Sequence, residues 1–547
     1  MTVRPAAWLT AVTAAATLAA LAACGRAGSG AGPQSTDGAP AGPMLVRGGG
    51  PDPDSLDPQK VRGAEAQGIV RDLCEGLTTL DKTAAVAPGV ASRWSVSADG
   101  KVYTFSLRPE ARWSNGERVV AADFVAGLRR LVDPATASGY AQYADVIANT
   151  GEIVAGRKPP EALGVAAPDD STVVVTVSAP APYLPALLSH PSTCPVHRPT
   201  LASHSESYAR PGVMVSDGAF VLKEWVQGSY ILAARNRYYW NDAATRLAAV
   251  KYLVITDENA ELARYRGGEL EVTAVVPRGQ FDWIKEHLGS ELHVSPQLTT
   301  YYYGFNLRRA PFKDQPKLRR ALSLVIDREK LASLVLRVGE LPAYGWVAPG
   351  IDNYTPQSFD YRGEPMEARI AEAQRLYREA GYSPRKPLAF ELSYNAAEVH
   401  TKLAVAVASM WKEALGAEVR LTQVEFKTLL QEIDRGDVEL FRSSWAGDYN
   451  DAQTFAQYLK SDFGLNLPRY QSAAYDALLT RAATEVDLSA RRALLEEAER
   501  VMLADTPLMP LYFYVNKHLV KPQVLGWYDN VMNVTYSRDL GLAAPSR

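Results

Sequence analysis

The stretch Phe441-Arg442-Ser443-Ser444-Trp445-Ala446-Gly447-Asp448-Tyr449-Asn450 sets one carboxylate, Asp448, among aromatic and small residues. An ionised Asp in such surroundings is costly unless a cation pairs with it. Arg442 stands six residues upstream, and the next cation downstream is Lys460. Immediate neighbours therefore do not neutralise Asp448. Its partner comes from elsewhere in the fold or from a ligand; in the second case Asp448 marks a site for an amino group. The plainer alternative is a turn-forming Asp that bonds its own backbone.

Outward from this stretch the chain reads as mixed α/β. A strand is predicted over 419–424 and an aromatic strand over 508–515. Helices are predicted over 316–326, 367–380, 400–415 and 490–504, with Gly381 and Gly416 where C-caps belong. Upstream, Val102-Tyr103-Thr104-Phe105-Ser106-Leu107 alternates as a strand should, and a turn follows at 113–116. Asp123 is the expected N-cap of a helix running through Leu131, and strands are predicted over 172–177, 230–234 and 250–255. No internal repeat occurs, and no Pro/Ser-rich linker follows residue 50. Several domains without linkers imply a chain that crosses between lobes more than once, which suits a hinge.

The N-terminus bears on the compartment. Arg4 precedes an apolar run that ends Leu21-Ala22-Ala23-Cys24. This reads as a secretory signal over 1–23 with cleavage before a lipid-bearing Cys24; an ordinary signal peptide with an incidental Cys is the alternative. Residues 24–43 are Gly, Ala, Ser and Pro with little apolar bulk, the composition of a flexible tether. The remaining length, about 500 residues, is enough for two to four domains. A net charge of -3 argues against a nucleic-acid surface. Beyond Cys24 only Cys74 and Cys194 remain. From spacing alone they are equally a disulfide or two separate buried thiols.

Signatures of catalysis are missing: there is no GxxxxGK[ST], HExxH, CxxC or GxSxG. His197 and His204 are spaced for neither a helix face nor a zinc site, and Glu496, Glu497 and Glu499 read as a solvated helix face. No enzyme activity, cofactor or metal is implied.

An ordered series of segments carries a resemblance to a known family. They are Ser55-Leu56-Asp57-Pro58, Arg71-Asp72-Leu73-Cys74-Glu75-Gly76-Leu77, Val102–Phe105, His190-Pro191-Ser192-Thr193, Thr300-Tyr301-Tyr302-Tyr303, Pro342-Ala343-Tyr344-Gly345 and Trp445–Asn450. In this order, from Leu45 to Arg538, the chain resembles the extracytoplasmic solute-binding lipoproteins of peptide-importing ABC transporters, the oligopeptide-binding type above all. The resemblance implies an α/β, bilobal periplasmic-binding-protein fold with a third inserted lobe and a hinge that closes over the ligand. It implies lobe I over 44–74, 195–298 and 516–547, lobe II over 75–194, and lobe III over 299–515.

The same resemblance implies a monomeric receptor for short peptides, lipid-anchored outside the membrane through Cys24, that serves an ABC permease and ATPase complex. A peptide would be held through its main chain, as an added strand, with specificity at its termini. Asp448 matches the anchor of the α-amino group. Arg442, His400 and Arg309 match cations that meet the carboxylate of peptides of different lengths; Arg309 stands where the family often has Lys. Tyr140, Trp445 and Tyr514 match channel-lining residues, with core packing as the plainer role for Tyr140 and Tyr514, and an exposed surface position for His400. Gly447 belongs to the Asp448 segment. Departures are Arg62 in place of Glu, Ala64 in place of Val, Val275 in place of a polar channel residue, and Thr299 and Ala446 in place of a disulfide pair. That loss favours a Cys74–Cys194 bridge near the junction of lobes I and II. Rival readings are a receptor for another solute (a dipeptide, a nickel chelate, a peptide-like antibiotic or a sugar) and a sensory lipoprotein on the same fold.

Overall fold

The computed structural model describes residues 42–543. The signal segment, Cys24 and the tether up to residue 41 lie outside the described residues. The strands of the three larger sheets are, in chain order, β1 (Met44–Gly48), β2 (Ala91–Val96), β3 (Val102–Leu107), β4 (Val165–Asp169), β5 (Thr172–Thr176), β6 (Phe220–Val226), β7 (Tyr230–Arg235), β8 (Ala249–Leu253), β9 (Leu292–Phe305), β10 (Leu341–Pro342), β11 (Ala389–Asn395), β12 (Glu418–Val424), β13 (Leu440–Ala446) and β14 (Leu508–Leu519).

Each sheet has its own core. The first has the order β1-β8-β7-β6 and packs Leu45, Val250, Ile231 and Phe220. The second has the order β2-β3-β5-β4; strict alternation in β3 buries Tyr103, Phe105 and Leu107 against Phe124 and Leu128 of the helix Ala121–Val132. The third has the order β10-β14-β9-β13-β11-β12 and packs Tyr301, Tyr302, Tyr303, Phe390, Leu440 and Trp411. From Leu298 to Phe305, β9 is buried at every position, as a central strand covered on both faces must be.

Two strands run from the third core into a further apolar cluster beside the first sheet. The lower part of β9 pairs Leu292 to Leu519, and its upper part pairs Gly304 to Leu508. Leu519 packs with Leu253 and Leu262, while Tyr301 and Tyr512 pack in the third core. The register shifts between Pro296 and Thr300. Pro296 has no N–H to give the ladder, and the extra residues of β9 that follow it form the irregularity. β14 thus continues four residues beyond the predicted end at Val515, because 516–519 find partners in Leu292–Ser295.

Asp123 departs from its expected place. The helix begins at Ala121 with Val120 as N-cap, which makes Asp123 the third helical residue. Its buried carboxylate accepts from Val120 N and Trp113 Nε1, both at 3.1 Å, and pairs with Arg198 at 2.8 Å. It closes the helix start from inside the first turn rather than before it.

Cys74 follows the helix Ala64–Leu73 and is bonded to Cys194 across 120 residues of chain, with a Cα separation of 6.2 Å. A crosslink closing so long a loop restricts the unfolded chain by about 2–4 kcal/mol. Replacing both cysteines by Ala is expected to lower stability by roughly that amount, read as a lower guanidinium midpoint; an unchanged midpoint would show that the bond contributes nothing.

Candidate functional site

β13 carries the decisive stretch. It lies antiparallel to β9, with Tyr303 opposite Arg442 and Thr299 opposite Ala446.

Beyond β13 the chain turns at Gly447, whose N–H donates to Leu298 O at 2.8 Å. A Cβ here would lie 2.7 Å from Leu298 Cδ2 and 2.8 Å from Thr454 Cγ2, so the turn needs glycine for space. Asp448 N donates to Thr454 Oγ1 at 3.0 Å, and Asp448 O accepts from Tyr143 Oη at 2.8 Å. The backbone is thus fixed from both sides, while the carboxylate forms no ion pair or hydrogen bond among the described residues. It is open to solvent, yet the walls around it remove enough water to raise its pKa. Asp448 does not cap its own turn; it is an uncompensated anion on a fixed mount.

Arg442 is its counterpart. The guanidinium is buried, donates to Asn395 Oδ1 at 3.0 Å and Tyr514 Oη at 3.2 Å, and lies 4.6 Å from the centroid of the Tyr301 ring. Its Nε has no partner, and among the described residues no carboxylate pairs with it. Burial pulls its pKa down, but Tyr301 and Tyr514 outweigh that pull and the net direction is up. A buried, charged guanidinium without an anion is a ready carboxylate site.

His400 joins this cluster. It opens the first turn of the helix Glu398–Leu415, is buried rather than exposed on the surface, and lies 3.3 Å from Tyr301 Oη through Nδ1. Burial, reinforced by Arg442 and Arg278, lowers its pKa to about 4. His400 is therefore neutral near pH 7 in this state, and the expectation of a cation there is corrected: it offers a carboxylate a hydrogen bond and no charge.

The remaining expected residues are dispersed. Trp445 points to the opposite face of β13 from Arg442, where it donates to Thr454 O at 2.8 Å and packs on Tyr458. Tyr140 is half-buried against Tyr143 and His190. Arg62 and Ala64 are exposed, and Arg62 approaches Gly139 beside Tyr140. Arg309 is exposed beyond the far end of β9, bonded to Gly436 O at 3.3 Å and outside the Arg442 cluster.

Sequence reasoning missed Tyr143, which braces Asp448, and His190, whose ring stacks on Tyr143 at 4.0 Å. It also missed Arg278 and Glu340, bonded at 2.9 Å. The only signal among these was the His190–Thr193 segment.

Family models resolve what such a site belongs to. The model of bacterial extracellular solute-binding proteins, family 5 (middle region), matches residues 85–466. The chain belongs to this family.

Family 5 membership makes the protein an extracytoplasmic solute-binding protein rather than an enzyme. It is 40% identical over 500 residues to the periplasmic oligopeptide-binding protein OppA of Escherichia coli, covering 91% of this chain and 92% of that one. Two structures of the murein tripeptide-binding protein MppA of Escherichia coli are also similar. The unliganded open form matches with a TM-score of 0.88 at 37% identity, over 92% of this chain and 98% of that one. A second MppA structure matches with 0.70 at 37% identity, over 92% and 99%. The present conformation therefore resembles the open form. Among the described residues no helix is long and apolar enough to cross a membrane.

Two outcomes follow. Gly447→Ala is expected to lower ligand affinity at least tenfold by displacing the Asp448 mount, with a loss of about 1–3 kcal/mol in stability from overpacking, read by calorimetry and thermal melting. For His400 the folded pKa lies below the ordinary 6.5. Its contribution to stability is complete above pH 6.5 and is lost as pH falls towards 4. His400→Gln is expected to flatten the fall in melting temperature across that window; an unchanged slope would contradict a neutral, buried His400.

Proposed function

We propose that the protein is the receptor of an ABC importer, capturing short peptides by their termini and main chain and delivering them to a permease and ATPase complex. The observation that carries this is a pair of unlike, uncompensated charges on one stretch of chain. Among the described residues Asp448 has no cation and Arg442 no anion paired with it. Arg442 and Ala446 are separated by four residues of strand, about 13 Å. Three or four extended residues span that scale, so a short zwitterionic peptide satisfies both ends. The OppA and MppA likenesses support the same ligand class.

In this reading Asp448 holds the α-amino group, Arg442 the carboxylate and His400 donates beside it. Tyr514 orients Arg442; Tyr140, Trp445, Gly447, Arg62 and Ala64 shape the walls, and Arg309 serves only longer ligands. The proposed lobes are 44–74 with 195–298 and 516–547, then 75–194 and 299–515. The three separate cores support them, although Leu298 and Val531 pack into the third core. Lipid attachment at Cys24, a flexible tether to residue 43 and a monomeric state belong to the same proposal.

Mass spectrometry of material copurifying with the protein is expected to show a mixture of short peptides; a single non-peptide compound would overturn the assignment. Asp448→Asn is expected to weaken peptide binding by about 1.5–3 kcal/mol, roughly ten- to a hundredfold. The same change is expected to raise the melting temperature of the empty protein at pH 7. The raised folded pKa means that Asp448 contributes stability at acid pH and loses it as pH rises through its titration. Asn removes that loss.

A further inference from the structure

Near the Arg442 cluster stands a second charged group that the terminus-binding scheme does not use. β10 pairs Leu341 with Phe513 and Pro342 with Tyr512, and Glu340 immediately precedes this pairing, beside the part of β14 that carries Tyr514. Tyr514 Oη is the atom to which Arg442 donates. The Glu340 side chain is 1% exposed. Its Oε1 accepts from Arg278 Nη2 at 2.9 Å and lies 3.9 Å from Lys517 Nζ, while its Oε2 has no partner.

Arg278 differs from its two companions. Its side chain is 48% exposed, on the short turn Arg278–Gln280 that precedes the helix Phe281–His287. Only one of its nitrogens is engaged, so the rest of the guanidinium remains available to a ligand. Glu340 acts as a buried strut: it fixes the direction of Arg278 without saturating it. Arg278 also acts electrostatically on His400, in the same sense as Arg442 does, so its charge reaches the carboxylate end of the site. Around that end stand Arg442, Arg278 and Lys517 with Glu340, the carboxylate bonded to Arg278, while Glu258 acts on Lys517 from the start of the helix Glu258–Arg266. A peptide carboxylate on Arg442 leaves the free edge of the Arg278 guanidinium without a partner of its own.

We propose that Arg278, pinned by Glu340, is a specificity residue that selects peptides carrying a second carboxylate at their C-terminal end, as the side chain of a terminal Glu or Asp. This rests on the peptide-receptor reading. Arg442 takes the main-chain carboxylate, and the free edge of the Arg278 guanidinium takes the acidic side chain. A fork of this kind distinguishes a carboxylate from an amide of the same shape, because the charge-assisted bonds are the stronger ones.

The test is calorimetry of the full-length protein with Ala-Ala-Ala, Ala-Ala-Glu and Ala-Ala-Gln, and with the four- and five-residue analogues. The wild type is expected to bind the Glu peptide about tenfold more tightly than its Gln counterpart at whichever length binds best. Arg278→Gln is expected to reduce that ratio to about one and to leave Ala-Ala-Ala affinity within twofold. Arg278→Lys is expected to restore part of the ratio. Because Arg278 is exposed and Lys517 still faces Glu340, these variants are expected to fold, with circular dichroism as the check. Equal wild-type affinity for Glu and Gln peptides, or a ratio that survives in Arg278→Gln, would overturn the inference while leaving the peptide-receptor reading intact. Failure of Ala-Ala-Ala and all its analogues to bind would sink both.

Discussion

Continuity of the β9–β14 ladder between two cores is the constraint on which the rest of the structure depends. Each lobe packs its own apolar residues, so its interior is fixed independently of ligand. The paired strands run between the third core and the cluster of Leu253, Leu262 and Leu519, and their register shifts just beyond Pro296. Backbone hydrogen bonds on either side keep each half rigid. The irregular register there is an interruption between the two halves that a hinge could use.

Opposite charges on fixed mounts give that hinge something to respond to. Asp448 is held by backbone bonds to Thr454 and Tyr143, and Arg442 by Asn395 and Tyr514. Neither is neutralised from within. On the proposed reading, the two charges form an electrostatic mismatch that a zwitterion resolves. A ligand moves a conformational equilibrium only through its differential affinity for the two states, and closure around two unsatisfied ions provides such a difference. The phenol-rich wall gives the buried Arg442 a ring face at Tyr301 and a hydroxyl acceptor at Tyr514, which a purely aliphatic wall would not do.

Much of this was legible in the chain itself. β3 occupies the predicted residues, because alternation and β-branching there coincide with one buried face. The isolation of Asp448 followed from the absence of nearby cations, and Gly416 ends its helix in the expected left-handed conformation. What escaped were properties created by distant segments. The neutrality of His400 depends on burial and on Arg442 and Arg278, which arrive from other elements. Glu340 and Arg278 are 62 positions apart, and nothing in either local sequence announces their bond. Asp123 looked like a cap because it precedes an apolar run, but Ala121 begins the helix two residues earlier and turns the carboxylate inward.

The same topology constrains how the chain comes together. β1 pairs in parallel with β8, about two hundred residues later, and the N–H of Gly48 donates to Val272 O. Val272 forms a bridge with Val520, Asp72 accepts from Ser537 N, and Glu75 pairs with Arg538. The segments beside the first sheet are therefore fastened only by residues made last. Contacts of such long sequence separation form slowly, so for a protein that works outside the cytoplasm the strand order itself postpones folding: the amino-terminal lobe stays unfinished until the carboxyl-terminal segment has followed it.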